Sequence, residues 1–264
     1  MRLFVDGIGL WAPGMASWPE GTVRLNRCDG EALAEAHAPR PALLSAREQR
    51  RTGLTVRLAL EVALQAVNRA GLGGQSLASI FATANGDSDI LNYMCKTLVS
   101  APETVSPTRF HNSVHNAAGG YWSIGRGCTK PLNCLSMGRY SAAGGLLDAA
   151  MQLAAGEPQV LLCAYDIPAP EPLKRALPIE SLFGAALVLG STPSPHSIAS
   201  LELSRQAGAG APPLEDEALQ RLREDNPAAE LLPLLVQLAR GEGGELALSL
   251  GPALQLNIGV SPRC

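Results

Sequence analysis

No apolar run in this 264-residue chain approaches the roughly 18 residues of a membrane-spanning helix, so no segment is expected to cross a bilayer. An excess of one charge is missing too. Lys and Arg number 21 against 24 Asp and Glu, a formal net charge of −3 that removes the electrostatic case for a nucleic-acid partner. The six cysteines (Cys28, Cys95, Cys128, Cys134, Cys163, Cys264) form no Cys-x-x-Cys pair and no ligand spacing with the four histidines. No metal or cofactor is therefore expected, and reduced thiols in a cytoplasmic protein are. No secretory leader is expected either, because residues 1–10 read as a strand interrupted by Asp6.

What is present is core material. Apolar residues make up 46% of the chain, aromatics only 4%, and Ala, Leu and Gly dominate, which suits helices packed closely on a sheet. Residues 3–10 are strand-like and end in the turn Ala12-Pro13-Gly14; a looser segment with Trp18 and Pro19 follows. Ser45 and Glu48 form a capping-box pattern that predicts one helix from there to Ala70, ended by Gly71 and Gly73-Gly74. Beyond it the pattern predicts strands at 79–84, 132–137, 159–165, 185–189 and 198–203, with helices at 88–99, 116–124 and 141–155. After a loop at 206–213, Asn226 caps a helix over 227–240, and two short strands close the chain. The alternation argues for a layered α/β domain.

Within 106–156 the residues Gly125-Arg126-Gly127, Lys130-Pro131, the 132–137 strand and the small-residue helix 141–155 stand in one order. In this order they resemble the nucleophile-bearing half of a β-ketoacyl synthase. The resemblance covers residues 1–205 and implies a thiolase-like half-fold of βαβαβαββ order, with a mainly parallel mixed sheet. Residues 206–264 would form a small α/β tail on the same domain. Counting forward from Pro131, the family's nucleophilic cysteine falls on Arg139, and a guanidinium cannot accept an acyl group. The second half of such enzymes brings two histidines; the tail after Arg205 has none.

The segment 106–116, with Asn226-Pro227-Ala228 and Leu232-Pro233-Leu234-Leu235, is similar to the short chain length factors of aryl-polyene and xanthomonadin-type pigment synthesis. This resemblance implies a non-catalytic subunit that pairs with a full-length ketosynthase and meets an acyl carrier protein through that complex. It makes Leu132, Asn133, Cys134, Leu135, Ser136 and Met137 the interface strand, and Phe110, Val114, Tyr121 and Trp122 candidates for gating an acyl tunnel. For the tunnel candidates, ordinary packing is the competing reading.

Arg139 is expected to plug the vestigial pocket and to salt-bridge within it or across the dimer; pointing into solvent is the alternative. A cation at a helix N-terminus is unfavourable by about 0.3–1 kcal/mol unless offset. Two other functions stay open: a stand-alone acyltransferase using Cys134 with His111 or His115, and a purely stabilising scaffold. Cys134 lies in a strand, away from a helix N-terminus, and His115 is expected to be a hydrogen-bonded structural residue. Arg47, Arg50, Arg51 and Arg57 suit an acidic carrier protein, although a solvated helix face accounts for them as well.

Overall fold

Strand β1 (Arg2–Trp11) is buried on both faces along most of its length, as its near-continuous apolar run requires. The computed structural model describes residues 1–73, 76–208 and 210–263. Gly74 of the expected helix stop, Ala209 of the expected 206–213 loop and Cys264 lie outside the described residues. After β1 come α1 (Trp18–Leu25), α2 (Ala46–Gln49), α3 (Leu54–Arg69), β2 (Ala78–Ala82), α4 (Ser88–Ser100), α5 (Pro107–Asn112) and α6 (Ala117–Arg126). Then follow β3 (Leu132–Leu135), α7 (Ser141–Ala154), β4 (Gln159–Asp166), β5 (Phe183–Gly190) and β6 (Ala199–Ala207). The chain continues with α8 (Glu217–Asp225), a 3₁₀ turn (Pro227–Leu231), α9 (Leu232–Arg240), β7 (Gly244–Gly251) and β8 (Leu254–Pro262).

From β1 to β5 the elements follow the βαβαβαββ order expected. All eight strands join one sheet, in the order β3-β2-β4-β5-β1-β6-β8-β7. The sheet is mixed, but parallel pairing is narrower than the sequence reading had it. Among the described residues only β2 pairs in parallel, with β3 and with β4, and every other neighbouring pair is antiparallel. The reason is connectivity: a helical crossover returns a strand parallel to its predecessor, whereas the helix-poor 167–182 excursion returns β5 antiparallel beside β4.

Helices α3 and α6 cover one face of the sheet; α7, the 227–231 turn, α9 and α1 cover the other. The α3 helix lies so close to β1 that a Cβ on Gly7 would sit 2.1 Å from the Ala66 carbonyl oxygen. One on Gly9 would sit 2.0 Å from that of Val62. Side chains there would push the layer off the sheet. Strand β6 runs through the expected 205/206 boundary to Ala207, and β8 pairs along its full length, so the tail's strands extend the same sheet.

Helices α1, α5 and α8 were absent from the sequence reading. Ser17 caps α1 and accepts from the Glu20 N–H, with Pro19 in the first turn; Asp216 caps α8 by accepting from the Leu219 N–H. The single helix expected from Ser45 is two: the capping box forms, but α2 ends after one turn and Gly53 starts α3 afresh. Among the described residues no helix is long and apolar enough to cross a membrane.

Candidate functional site

Strand β3 forms one edge of the sheet. Pro131 and Leu135 direct their carbonyls at β2, accepting from the Ser79 and Thr83 N–H groups at 3.0 and 3.2 Å. Because backbone direction alternates along a strand, Leu132 and Cys134 turn their own N–H and C=O groups to the open edge. The Leu132 and Cys134 side chains pack with α6, while Asn133 bonds Asp148 on α7 at 2.9 Å and Leu135 packs on the α7 face. The strand is shorter than expected. Ser136 and Met137 leave it to begin a turn, their hydrogen bonds going to the Ala84 carbonyl (2.7 Å) and from the Met137 N–H to Ser141 Oγ (2.9 Å).

That turn is the strand-to-helix corner on which position 139 was placed. Gly138 takes φ +57°, a left-handed conformation that favours glycine, and α7 starts three residues later. The Ser141 hydroxyl closes the corner on the Gly138 carbonyl at 2.7 Å. Arg139 projects from it and donates to the carbonyls of Glu224 (3.0 Å) and Arg223 (3.2 Å) at the last turn of α8. Among the described residues the guanidinium pairs with no carboxylate of this chain; the residue is exposed, as the alternative had it, with its head group held by these two carbonyls. It caps the negative end of a helix dipole, which offsets its unfavourable place beside the α7 N-terminus. Sequence reasoning missed this partner because it missed α8.

Three of the four tunnel candidates come together. Phe110, Val114 and Tyr121 line a groove of about 590 Å³ with Ile124, His111 and Asn112. Tyr121 donates to Asn112 Oδ1 (3.2 Å), and Asn112 in turn donates to the Arg51 carbonyl (3.1 Å), fixing the groove's polar wall. Phe110 is 61% exposed and Ile124 84% exposed, with Met137 exposed nearer the β3 edge. Trp122 is a correction. It is 2% exposed and turns inward, its ring 6.4 Å from that of Phe81, because successive residues of a helix point about 100° apart and position 122 falls on the side of α6 that faces the sheet.

Cys134 is half-buried, and burial pushes its thiol up to about 11, away from a reactive thiolate. No hydrogen bond joins it to a histidine among the described residues. His111 lines the groove, and His115 is exposed beside Gly86 rather than the hydrogen-bonded structural residue expected, since the 113–116 stretch lies on the surface. Arg47, Arg50 and Arg51 are exposed and pair with no carboxylate among the described residues, whereas Arg57 is partly covered and its Nε finds no acceptor.

A sequence model of the β-ketoacyl synthase N-terminal domain matches residues 25–241. No curated protein matches the sequence significantly. Among solved structures, the chain is similar to a ketosynthase (ApeO) in complex with its chain length factor (ApeC) from Xenorhabdus doucetiae. There the identity is 21% and the TM-score 0.76, over 98% of this chain and 99% of that one. The ishigamide ketosynthase/chain length factor matches at 11% identity and TM-score 0.74 over the whole of both chains. A β-ketoacyl synthase from Burkholderia phymatum matches at 15% and 0.61, over 85% of this chain but 70% of its own. At these identities the likeness establishes the fold.

Proposed function

Because the chain belongs to the β-ketoacyl synthase N-terminal domain family, we propose that it is a non-catalytic chain-length-factor subunit of a ketosynthase complex. In this reading it pairs with a full-length β-ketoacyl synthase and shapes that partner's acyl tunnel, in cytoplasmic type II synthesis of the aryl-polyene kind. Residues 1–205 act as the ketosynthase-like unit and 206–264 as a tail in place of a second half. The observation that carries this is the corner at Gly138: the strand-turn-helix frame stands, and at its exposed position Arg139 is committed to the carbonyls of α8. Such a group neither attacks a thioester nor gives up a proton near neutrality. The similar structures described as ketosynthase/chain length factor complexes support the same reading.

The residues would share the work as follows. The outward backbone of Leu132 and Cys134 offers a row of hydrogen bonds to a partner strand, and Met137 adds apolar cover at the edge. Phe110, Val114 and Tyr121 form a bulky wall that limits how far a growing chain extends. The unpaired Arg47, Arg50 and Arg51 suit the acidic surface of a carrier protein visiting the complex.

The test is co-expression with the full-length ketosynthase of the same source, then size exclusion and intact-mass measurement after exposure to acyl-loaded carrier protein. A stable complex in which only the partner chain is acylated is expected. An acyl adduct on this chain would overturn the reading, and product of unchanged length with any groove variant would reduce the subunit to a scaffold.

A further inference from the structure

Six glycines lie inside helices among the described residues: Gly21, Gly119, Gly120, Gly125, Gly144 and Gly145. Five of them are fixed by a close neighbour. A Cβ on Gly21 would sit 2.3 Å from Leu10 Cδ2, one on Gly119 2.9 Å from the Leu132 methyls and one on Gly125 2.8 Å from Leu43 Cγ. On Gly144 it would sit 2.4 Å from Met137 Sδ, and on Gly145 2.7 Å from Leu162 Cδ1. Gly120 is the exception, because a Cβ there would meet nothing within 4 Å. Its φ is not in the left-handed region either, so the backbone does not call for glycine. Glycine is the poorest helix former after proline. Yet it stands inside α6, its N–H donating to the Asn116 carbonyl at 2.8 Å.

The open space beside Gly120 belongs to the groove of about 590 Å³. Ala117, Gly120, Tyr121 and Ile124 recur at three and four residues, which puts them on one face of α6, and all four line that groove. The bare position therefore lies between Ala117 and Ile124, beside Tyr121. Polar groups here are already spent. Tyr121 donates to Asn112, and the Gly120 carbonyl accepts the Ser123 hydroxyl at 3.2 Å. At Gly120 a thioester or phosphate head would find no free donor, whereas a hydrocarbon chain needs none.

We infer that Gly120 is a specificity-determining position of this groove, left bare so that the apolar end of an acyl chain can lie directly against the α6 backbone. The inference rests on the chain-length-factor reading and adds to it a point where length is set. Phe110, Val114 and Tyr121 limit the chain by the space they fill, and Gly120 admits it by the space it leaves. A leucine at 120 would place atoms about 4 Å from the Cα, against about 2.5 Å of depth for each two-carbon unit. It would therefore displace about one or two units.

Thermal melting of the isolated chain and product mass from its complex with the full-length ketosynthase of the same source test this. Gly120→Ala should melt about 2–4 °C above the wild type, because helix propensity improves and nothing resists the Cβ. A lower melt would show that the glycine serves packing, and would overturn the inference. Gly120→Leu should form the complex in undiminished yield, with product shorter by about one or two two-carbon units. If that variant does not fold, the unbranched Gly120→Met is read in its place. Full-length product from an intact complex overturns the inference. So does loss of the complex, which would mark the space as the seat of a partner side chain. Phe110→Ala, run in parallel, keeps the two levels apart. Length that answers to Phe110→Ala but not to Gly120→Leu removes the role of Gly120 alone. No wild-type complex, or a length that no groove variant alters, removes the chain-length-factor reading as well.

Discussion

Truncating two aromatic residues, Phe110→Ala and Trp122→Ala, should give opposite outcomes, although they lie on consecutive helices. Phe110 keeps less than half of its roughly 200 Å² out of water, so at about 25 cal/mol per Å² its loss costs at most about 2 kcal/mol. Trp122 is buried against Phe81, and its removal leaves a cavity; such changes cost about 3–5 kcal/mol. For a domain of this size that lowers the melting temperature by roughly 10 °C. The groove responds the other way. A phenyl ring extends about 4 Å beyond its Cβ, and each two-carbon extension of a chain needs about 2.5 Å, so Phe110→Ala makes room for one or two more units. The assay is thermal melting of the complex beside mass spectrometry of its products. Longer products from a nearly unchanged complex are expected for Phe110→Ala, and a weakened complex with unshifted products for Trp122→Ala. Unchanged product length from intact Phe110→Ala complex would refute the gating role, and an unchanged melt for Trp122→Ala would refute its place in the core.

Glu230→Ala should destabilise the chain by about 3–5 kcal/mol in urea unfolding, because it strands Arg223, now held bidentately at 2.9 Å in a buried pair. Cys134, with its thiol near 11, should be roughly one part in 3,000 thiolate at pH 7.5 and react slowly with iodoacetamide. Rapid single modification of Cys134, read by peptide mass, would restore the thiol-dependent acyltransferase. Met137→Asp should reduce co-purification with the synthase while leaving the melt of the isolated chain in place. Leu135→Asp should lower both, because that side chain packs on the α7 face of the sheet.

Much of the fold was legible. Strands β1 to β5 are short apolar runs bounded by turn residues, and the Ser45–Glu48 and Asn226 caps both form as their sequences suggest. What escaped notice was local structure with little apolar content. In α8 only Leu219, Leu222 and the stem of Arg223 are buried among charges, so its stripe is too thin to stand out. The Ser17-Trp18-Pro19-Glu20 sequence carried a cap signal for α1 that the neighbouring prolines disguised. The site was legible in position but not in partnership. Arg139 could be counted to a corner from Pro131, yet its contacts come from a helix more than eighty residues away. Likewise, four bulky residues in one stretch suggested one wall, and only the rotation of α6 separates Trp122 from Tyr121.

The place of β1 in the sheet has a consequence for how the chain is made. Its two neighbours are β5 and β6, and among the described residues no other strand pairs with it. Translation therefore releases a ten-residue, almost wholly apolar strand some 170 residues before anything that can pair with it leaves the ribosome. At about 5–20 residues per second that is an interval of roughly 10–35 seconds. The α3 helix, whose backbone fits over Gly7 and Gly9, is synthesised much earlier and is the first element able to cover it. A side chain at either glycine would thus leave β1 bare while the rest of the sheet is still being built. Its harm would show first as aggregation during synthesis, before any loss in the finished protein.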